Sequence, residues 1–249
     1  MRDTVNILGI PIDNVNMDKA VDIVKGFLAE DRVHAIYTPN SEIMMEAQRD
    51  QNLKEILCEG DLLIPDGAGV VLASKILGHK LPERVAGFDL VCRIFELPSE
   101  LKEDISLFLL GAKPGVAEEA AANIINKYKG VNIVGCHHGY FQEDEESKII
   151  DQINASGAQI LLVALGAPKQ EKWIHKNKDK IKARICMGVG GSLDILAGRS
   201  TRAPEFYQKH GLEWLYRLYK EPWRYKRMLD LPRFIMLTLK VRLSKTRPS

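Results

Sequence analysis

Through the first two hundred positions, short β-branched and aliphatic runs alternate with amphipathic stretches. The runs VNILGI, HAIYT, LLI, ISLFLLG, VNIVGC, QILLVALG and RICMGVG read as strands. Residues 17–28, 42–57, 70–77, 115–128, 144–155 and 169–178 carry helical spacing between them. This alternation predicts βαβ units: an α/β, Rossmann-like, mostly parallel sheet with helices on both faces. Near residue 200 the strands stop, and aromatic and basic residues mix at helical spacing. Residues 1–200 therefore read as the α/β body. Residues 201–249 read as a C-terminal helical appendage, divided by Pro222 and Pro232, whose loss is expected to spare every strand.

Charge sharpens that division. From Gly211 onward ten basic residues face three acidic ones, a net +7, which leaves −5 for residues 1–210 of a chain with net charge +2. A basic tail on a mildly acidic body suits an anionic partner such as a phosphate-bearing substrate, nucleic acid or an anionic membrane. Lys226, Arg233, Lys240 and Arg247 recur every seven residues as one basic stripe. Met228, Leu231, Phe234, Ile235, Leu237, Leu239 and Val241 cover most of the rest. The pattern fits a helix in a membrane interface, or one packed on the body with a solvated basic edge. The same apolar surface would also serve a homo-oligomer. Cys58, Cys92, Cys136 and Cys186 are scattered without a CxxC pair, and MRDTVNILGIPIDN lacks the apolar core of a secretory leader. A reducing cytoplasm is the expected home, with neither a zinc site nor a disulfide framework.

In open parallel sheets, ligands bind where strand carboxyl ends feed helix N-termini. YTPNSE, PDGAG, GAKPG, GAPKQEKW and GVGGSLD all fall at such ends. Asp66 of PDGAG is either a helix cap or a base, and Thr38 and Asn40 are equally good turn and cap formers. Ser192 is well placed as an N-cap behind Gly190 and Gly191, whose turn could hold a phosphate. Lys169 and Glu171 read as a solvated face. Gln170 between them has an amide able to donate to and accept from sugar hydroxyls. Arg84 alone reads as a surface arginine. No Walker motif is present, and GVGGSLD falls short of the full dinucleotide fingerprint.

In this order, TPNSEIMMEAQRD, PDGAGVV, RVAGFDL, GAPKQEKW, GVGGSLDILAG and RAPEFYQKHGLEWLYRLYKEPWR resemble the WecG/TagA/CpsF family of glycosyltransferases (glycosyltransferase family 26). The resemblance implies an inverting transfer of an N-acetylmannosamine-type sugar from a UDP donor. The acceptor would be a polyprenyl (undecaprenyl)-diphosphate-linked N-acetylglucosamine at the cytoplasmic membrane face, as in the wall teichoic acid linkage unit. Related members use the mannosaminuronic acid donor or build capsular glycans. It implies no cofactor, no catalytic metal and no nucleic-acid partner, and an enzyme peripheral to the membrane. Carried over residue by residue, it makes Asp66 the base and gives Thr38 and Asn40 to sugar or acceptor. Gln170, with Lys169 beside it, would contact the donor, and Gly190, Gly191 and Asp194 the nucleotide. Arg84, Arg217, Arg224 and Arg227 would offset diphosphate charge, the last three from an appendage closing as a lid.

Two other classes compete with this reading. An NAD-dependent oxidoreductase needs an acidic ribose ligand some 20 residues past its glycines, where only Glu205 and Glu213 stand. A non-catalytic membrane- or nucleic-acid-binding module would leave the converging motifs of the body unexplained.

Overall fold

The computed structural model describes residues 2–245, with the side chains of Arg224, Lys226 and Lys245 outside the description. Six parallel strands form its centre: β3 (His34–Tyr37), β4 (Leu62–Leu63), β5 (Ile105–Gly111), β6 (Val131–His137), β7 (Ile160–Ala164) and β8 (Ile185–Gly188). They lie in the order β4-β3-β8-β7-β5-β6. Side chains alternate across the sheet as strand geometry requires. Ala35, Tyr37, Phe108, Leu110, Leu161, Val163 and Cys186 face one core, and Ile36, Leu62, Leu107, Leu109, Ile160, Leu162 and Met187 the other. Both faces are covered, which is why the central strands read as nearly continuous apolar runs. All four cysteines are free.

VNILGI departs from the expected pattern. It does not join the parallel sheet but turns back on itself, so that β1 (Thr4–Ile7) and β2 (Ile10–Asp13) form an antiparallel hairpin. Leu8 and Gly9 both take positive φ at the turn, and Asn6 Oδ1 accepts from the Gly9 N–H. Asp13 then accepts from the Leu63 N–H at 2.7 Å, tying the hairpin to β4.

The helices mostly follow the sequence pattern: α1 (Met17–Ala29), α4 (Ala68–Ile76), α6 (Val116–Lys127), α7 (Glu146–Ala155) and α8 (Lys169–Asn177). The stretch 42–57 is two helices, α2 (Ser41–Arg49) and α3 (Gln51–Cys58). Asp50 ends the first in extended geometry and caps the second through the Leu53 N–H. The pattern reading omits α5 (Gly87–Leu101), which carries Pro98 inside its last turns. Short α9 (Ser192–Leu196) follows β8, and its N-cap is Gly191 with no side-chain bond, so Ser192 is not the cap.

Beyond the sheet lie α10 (Glu205–Lys209), α11 (Glu213–Lys220), a 3-10 turn (Pro222–Arg224), α12 (Tyr225–Met228) and α13 (Asp230–Lys245). This segment is not detachable as the sequence suggested, because α13 returns to pack on α2 and α4. Phe234 and Thr238 are fully buried, and Phe234 belongs to the same core as Tyr37 and Leu63. Ile235, Leu237 and Val241 pack against that core. Asp230 anchors the helix start through Arg49 at 2.5 Å. Truncation at Arg202 would therefore open the core. Phe234→Ala should cost about 3–5 kcal/mol, read as a lowered urea midpoint at unchanged slope. An unchanged midpoint would mean that α13 adds nothing to the core.

Candidate active site

Because the six strands run parallel, their carboxyl ends meet along one edge, and three adjoining cavities open there with Gly191 lining all of them. The central one, about 380 Å³, is lined by Thr38 and Asn40 after β3, Asp66 after β4, and Gln170 after β7. Gly190 and Gly191 after β8 and Arg217 and Arg227 from α11 and α12 line it too, as do the carboxylates of Glu42, Glu46 and Asp230. Eight of the residues singled out in the sequence thus converge on one space. Asp194 lines the two flanking cavities, of about 650 and 550 Å³, and Lys169 lines the smaller of these. Lys169 is exposed, its ammonium 5.5 Å from the centre of the Phe141 ring.

Asp66 is not the cap of the helix that follows it. The N-cap of α4 is Gly67, at φ +90, with no side-chain bond. The carboxylate instead accepts from the backbone N–H of Gly87, the first residue of α5. Its pKa is pushed up to about 6, chiefly by burial. Arg217 and Arg84 pull it down, Glu213 pushes it up, and the Gly87 bond pulls it down. The result is a carboxyl poised between its two states near neutrality, with cations on hand.

Asn40 does cap: its Oδ1 accepts from the Glu42 and Ile43 N–H groups at 3.0 and 3.2 Å. It keeps its place in the cavity wall as well. Gln170 lines the cavity too, but its amide is committed inward. Oε1 accepts from the Gly190 N–H at 3.0 Å, and Nε2 donates to Glu171 at 2.9 Å. Glu171, expected on a solvated face, is fully buried.

Arg84 is not an isolated surface arginine. It pairs with Glu213 on α11 and lines a small cavity of about 100 Å³ beside Asp66, Arg217 and Arg227. Glu213 also lies 3.7 Å from Arg202, which grips Asp89 of α5 at 2.5 and 2.7 Å and lies against the Phe88 ring. No residue of α11 is fully buried, and this chain of ion pairs, with Tyr216 against the Tyr207 ring, helps fasten it over the site. The sequence reading missed the chain, because partners separated by 129 residues have no local signature.

Pro222 breaks the continuous helix that would align Arg217, Arg224 and Arg227. Arg217 and Arg227 nevertheless reach one cavity, and both are exposed. The side chain of Arg224 lies outside the described residues, as do that of Lys226 and the whole of Arg247. Of the expected basic stripe, Arg233 and Lys240 are exposed. Most of its apolar flanks face the core, while Leu229, Met236, Leu239 and Leu243 stay exposed at 44–66%. No helix among the described residues is long and apolar enough to cross a membrane. Nor do three His, Cys, Asp or Glu side chains among them come together as a cation site.

The family model described as the glycosyl transferase WecG/TagA/CpsF family matches residues 5–248. An N-acetylglucosaminyldiphosphoundecaprenol N-acetyl-beta-D-mannosaminyltransferase of Bacillus subtilis is 33% identical over 243 residues, covering 97% of this chain and 93% of that protein. Enzymes of the same name from Bacillus spizizenii and Staphylococcus aureus are 34% and 32% identical. They cover 89% and 93% of this chain, and 85% and 90% of their own lengths.

Proposed function

The chain belongs to the WecG/TagA/CpsF glycosyltransferase family, and we propose that it transfers N-acetylmannosamine from a UDP donor to undecaprenyl-diphosphate-linked N-acetylglucosamine. The product would be the β-linked disaccharide on which wall teichoic acid is built. The observation that carries this reading is the placement of Asp66. A carboxyl with its pKa raised toward neutrality shares one cavity with two arginines and a glycine turn.

In the proposed reaction Asp66 takes the proton of the acceptor hydroxyl as that oxygen attacks the anomeric carbon opposite UDP. The new glycosidic C–O bond forms while the bond from the anomeric carbon to the β-phosphate oxygen breaks. Negative charge grows on the departing diphosphate, where the forks of Arg217 and Arg227 offset it, joined by Arg224. Thr38 and Asn40 hold sugar or acceptor, and the backbone of Gly190 and Gly191 faces the nucleotide together with Asp194. Arg84 acts more indirectly: paired with Glu213, it holds α11 in place and moderates the charge around Asp66. The exposed row of Leu229, Arg233, Met236, Lys240 and Leu243 would rest on the anionic membrane carrying the acceptor.

The oxidoreductase alternative loses its ribose ligands. Glu213 is spent on Arg84 and Arg202, and Glu205 pairs with Lys209 at the far end of α10. The deciding assay offers purified protein a short-chain lipid acceptor with UDP-N-acetylmannosamine, its uronic acid or UDP-glucose, with and without EDTA. Transfer from UDP-N-acetylmannosamine at a rate unaffected by EDTA is expected. Exclusive use of another sugar would move the chain elsewhere in the family, and a strict need for a divalent cation would overturn the arginine account. Thermal stabilisation by NAD(H) but not UDP would overturn the function itself.

A further inference from the structure

Glu171 is the one carboxylate on α8 directed into the protein, and it is 0% exposed. It makes no ion pair among the described residues, and its Oε2 has no hydrogen-bond partner. Burial pushes its pKa up, against the opposing bond from Gln170. It shares this interior with Tyr37, whose phenol is pushed up by burial first and by Glu171 next. A lone acid in such a place is a liability for stability, and a leucine would be cheaper. Its use is found at the other end of its single bond.

That bond runs from Gln170 Nε2 to Glu171 Oε1, and the other end of the same amide, Oε1, receives the Gly190 N–H. A glutamine amide is nearly symmetric in shape, so its neighbours decide which end faces where. Turned over, it would set Nε2 against the Gly190 N–H, donor against donor. At the other end of the amide Glu171 Oε1 is an acceptor, which calls for the same direction, Nε2 toward Glu171 and Oε1 toward Gly190. The amide lies over Gly188, where any Cβ would come within 2.8 Å of Nε2, so only glycine leaves it this place. Gly190 itself holds φ at +52° in the turn after β8.

We propose that Glu171 is a positioning residue: it fixes the direction of the Gln170 amide and, through it, the Gly190–Gly191 turn. Its effect on catalysis rests on the reading above, in which that turn contacts the UDP donor.

The test uses the full-length enzyme and two readouts, hydrogen exchange at the Gly190 amide without substrate and KM for UDP-N-acetylmannosamine. Glu171→Leu should speed Gly190 exchange and raise the donor KM about tenfold, the size of one lost hydrogen bond, with kcat little changed. Glu171→Gln keeps a carbonyl acceptor and should restore both. Should Glu171→Leu fail to fold, Gln170→Leu with Glu171→Leu removes both partners together, which buried pairs tolerate far better. That double variant should show the KM of Gln170→Leu alone, because Glu171 acts only through Gln170. The inference is overturned if folded Glu171→Leu leaves Gly190 exchange unchanged, or if the double variant adds a further full loss. Faster Gly190 exchange at an unchanged donor KM would uphold the positioning and count instead against the turn as a donor contact.

Discussion

Asp66→Asn is expected to lower turnover by about three orders of magnitude, within the range for losing a general base, while the fold survives. Asparagine keeps the size of the side chain and an oxygen to accept from the Gly87 N–H, but cannot take a proton. Two pH results accompany this. Wild-type turnover should fall on the acid side of about pH 6, where Asp66 becomes protonated. Stability should run the other way. Folded Asp66 keeps a proton that the unfolded chain releases between the ordinary 3.8 and about 6, so its ionisation weakens the fold as pH rises through that window. Asp66→Asn escapes that cost and should melt at or above wild type near pH 7.5, the difference closing below about pH 4. Near-normal turnover from a folded variant would remove Asp66 from the chemistry. A loss of Tm in step with activity would make the Gly87 bond its real role.

The strands beneath this site were legible because a parallel sheet covered on both faces leaves unbroken apolar runs, and LLVAL could hardly be anything else. Site loops were legible for a related reason: polar and glycine-rich segments directly after such runs must collect at one edge. The hairpin was not, since VNILGI has the composition of a buried strand and its reversal depends on Leu8 and Gly9 adopting positive φ. Pro98 likewise hid α5, though the helix carries it close to its end. Asn40 and Asp66 show how far residue type reaches. Both are good caps by composition; one caps the helix after it and the other does not, and the difference lies in Gly67 and Gly87. Glu171 shows where it stops. Charge predicted solvent, and only the packing of α8 against β3 reveals the interior. The amphipathic tail had two legible solutions, lipid or protein, and Phe234 settled on protein for one face of α13 while leaving Met236, Leu239 and Leu243 outside.

Replacing Arg217 and Arg227 together by alanine should lower turnover by on the order of 10³-fold, comparable to or greater than losing one oxyanion donor. The two guanidiniums reach the central cavity from separate helices, and Arg217 makes no ion pair among the described residues. Both are exposed, so their loss leaves the core intact, and the Arg84–Glu213 and Arg202–Asp89 pairs continue to fasten α11. The melting temperature should therefore stay near wild type. Removing Arg217 also withdraws the largest charge holding Asp66 down, so the acid limb of the turnover profile should move to higher pH. A purely structural role would not produce that shift. Lysine at both positions should recover part of the rate, since it restores charge without the bidentate fork. Sedimentation with anionic vesicles should be unchanged, because Arg233, Met236, Leu239, Lys240 and Leu243 remain. If the double alanine variant turns over near the wild-type rate, the diphosphate is stabilised elsewhere and the two arginines take no part in its departure. If turnover and vesicle binding fall together by the same factor, delivery of the acceptor rather than departure of UDP is the step they govern.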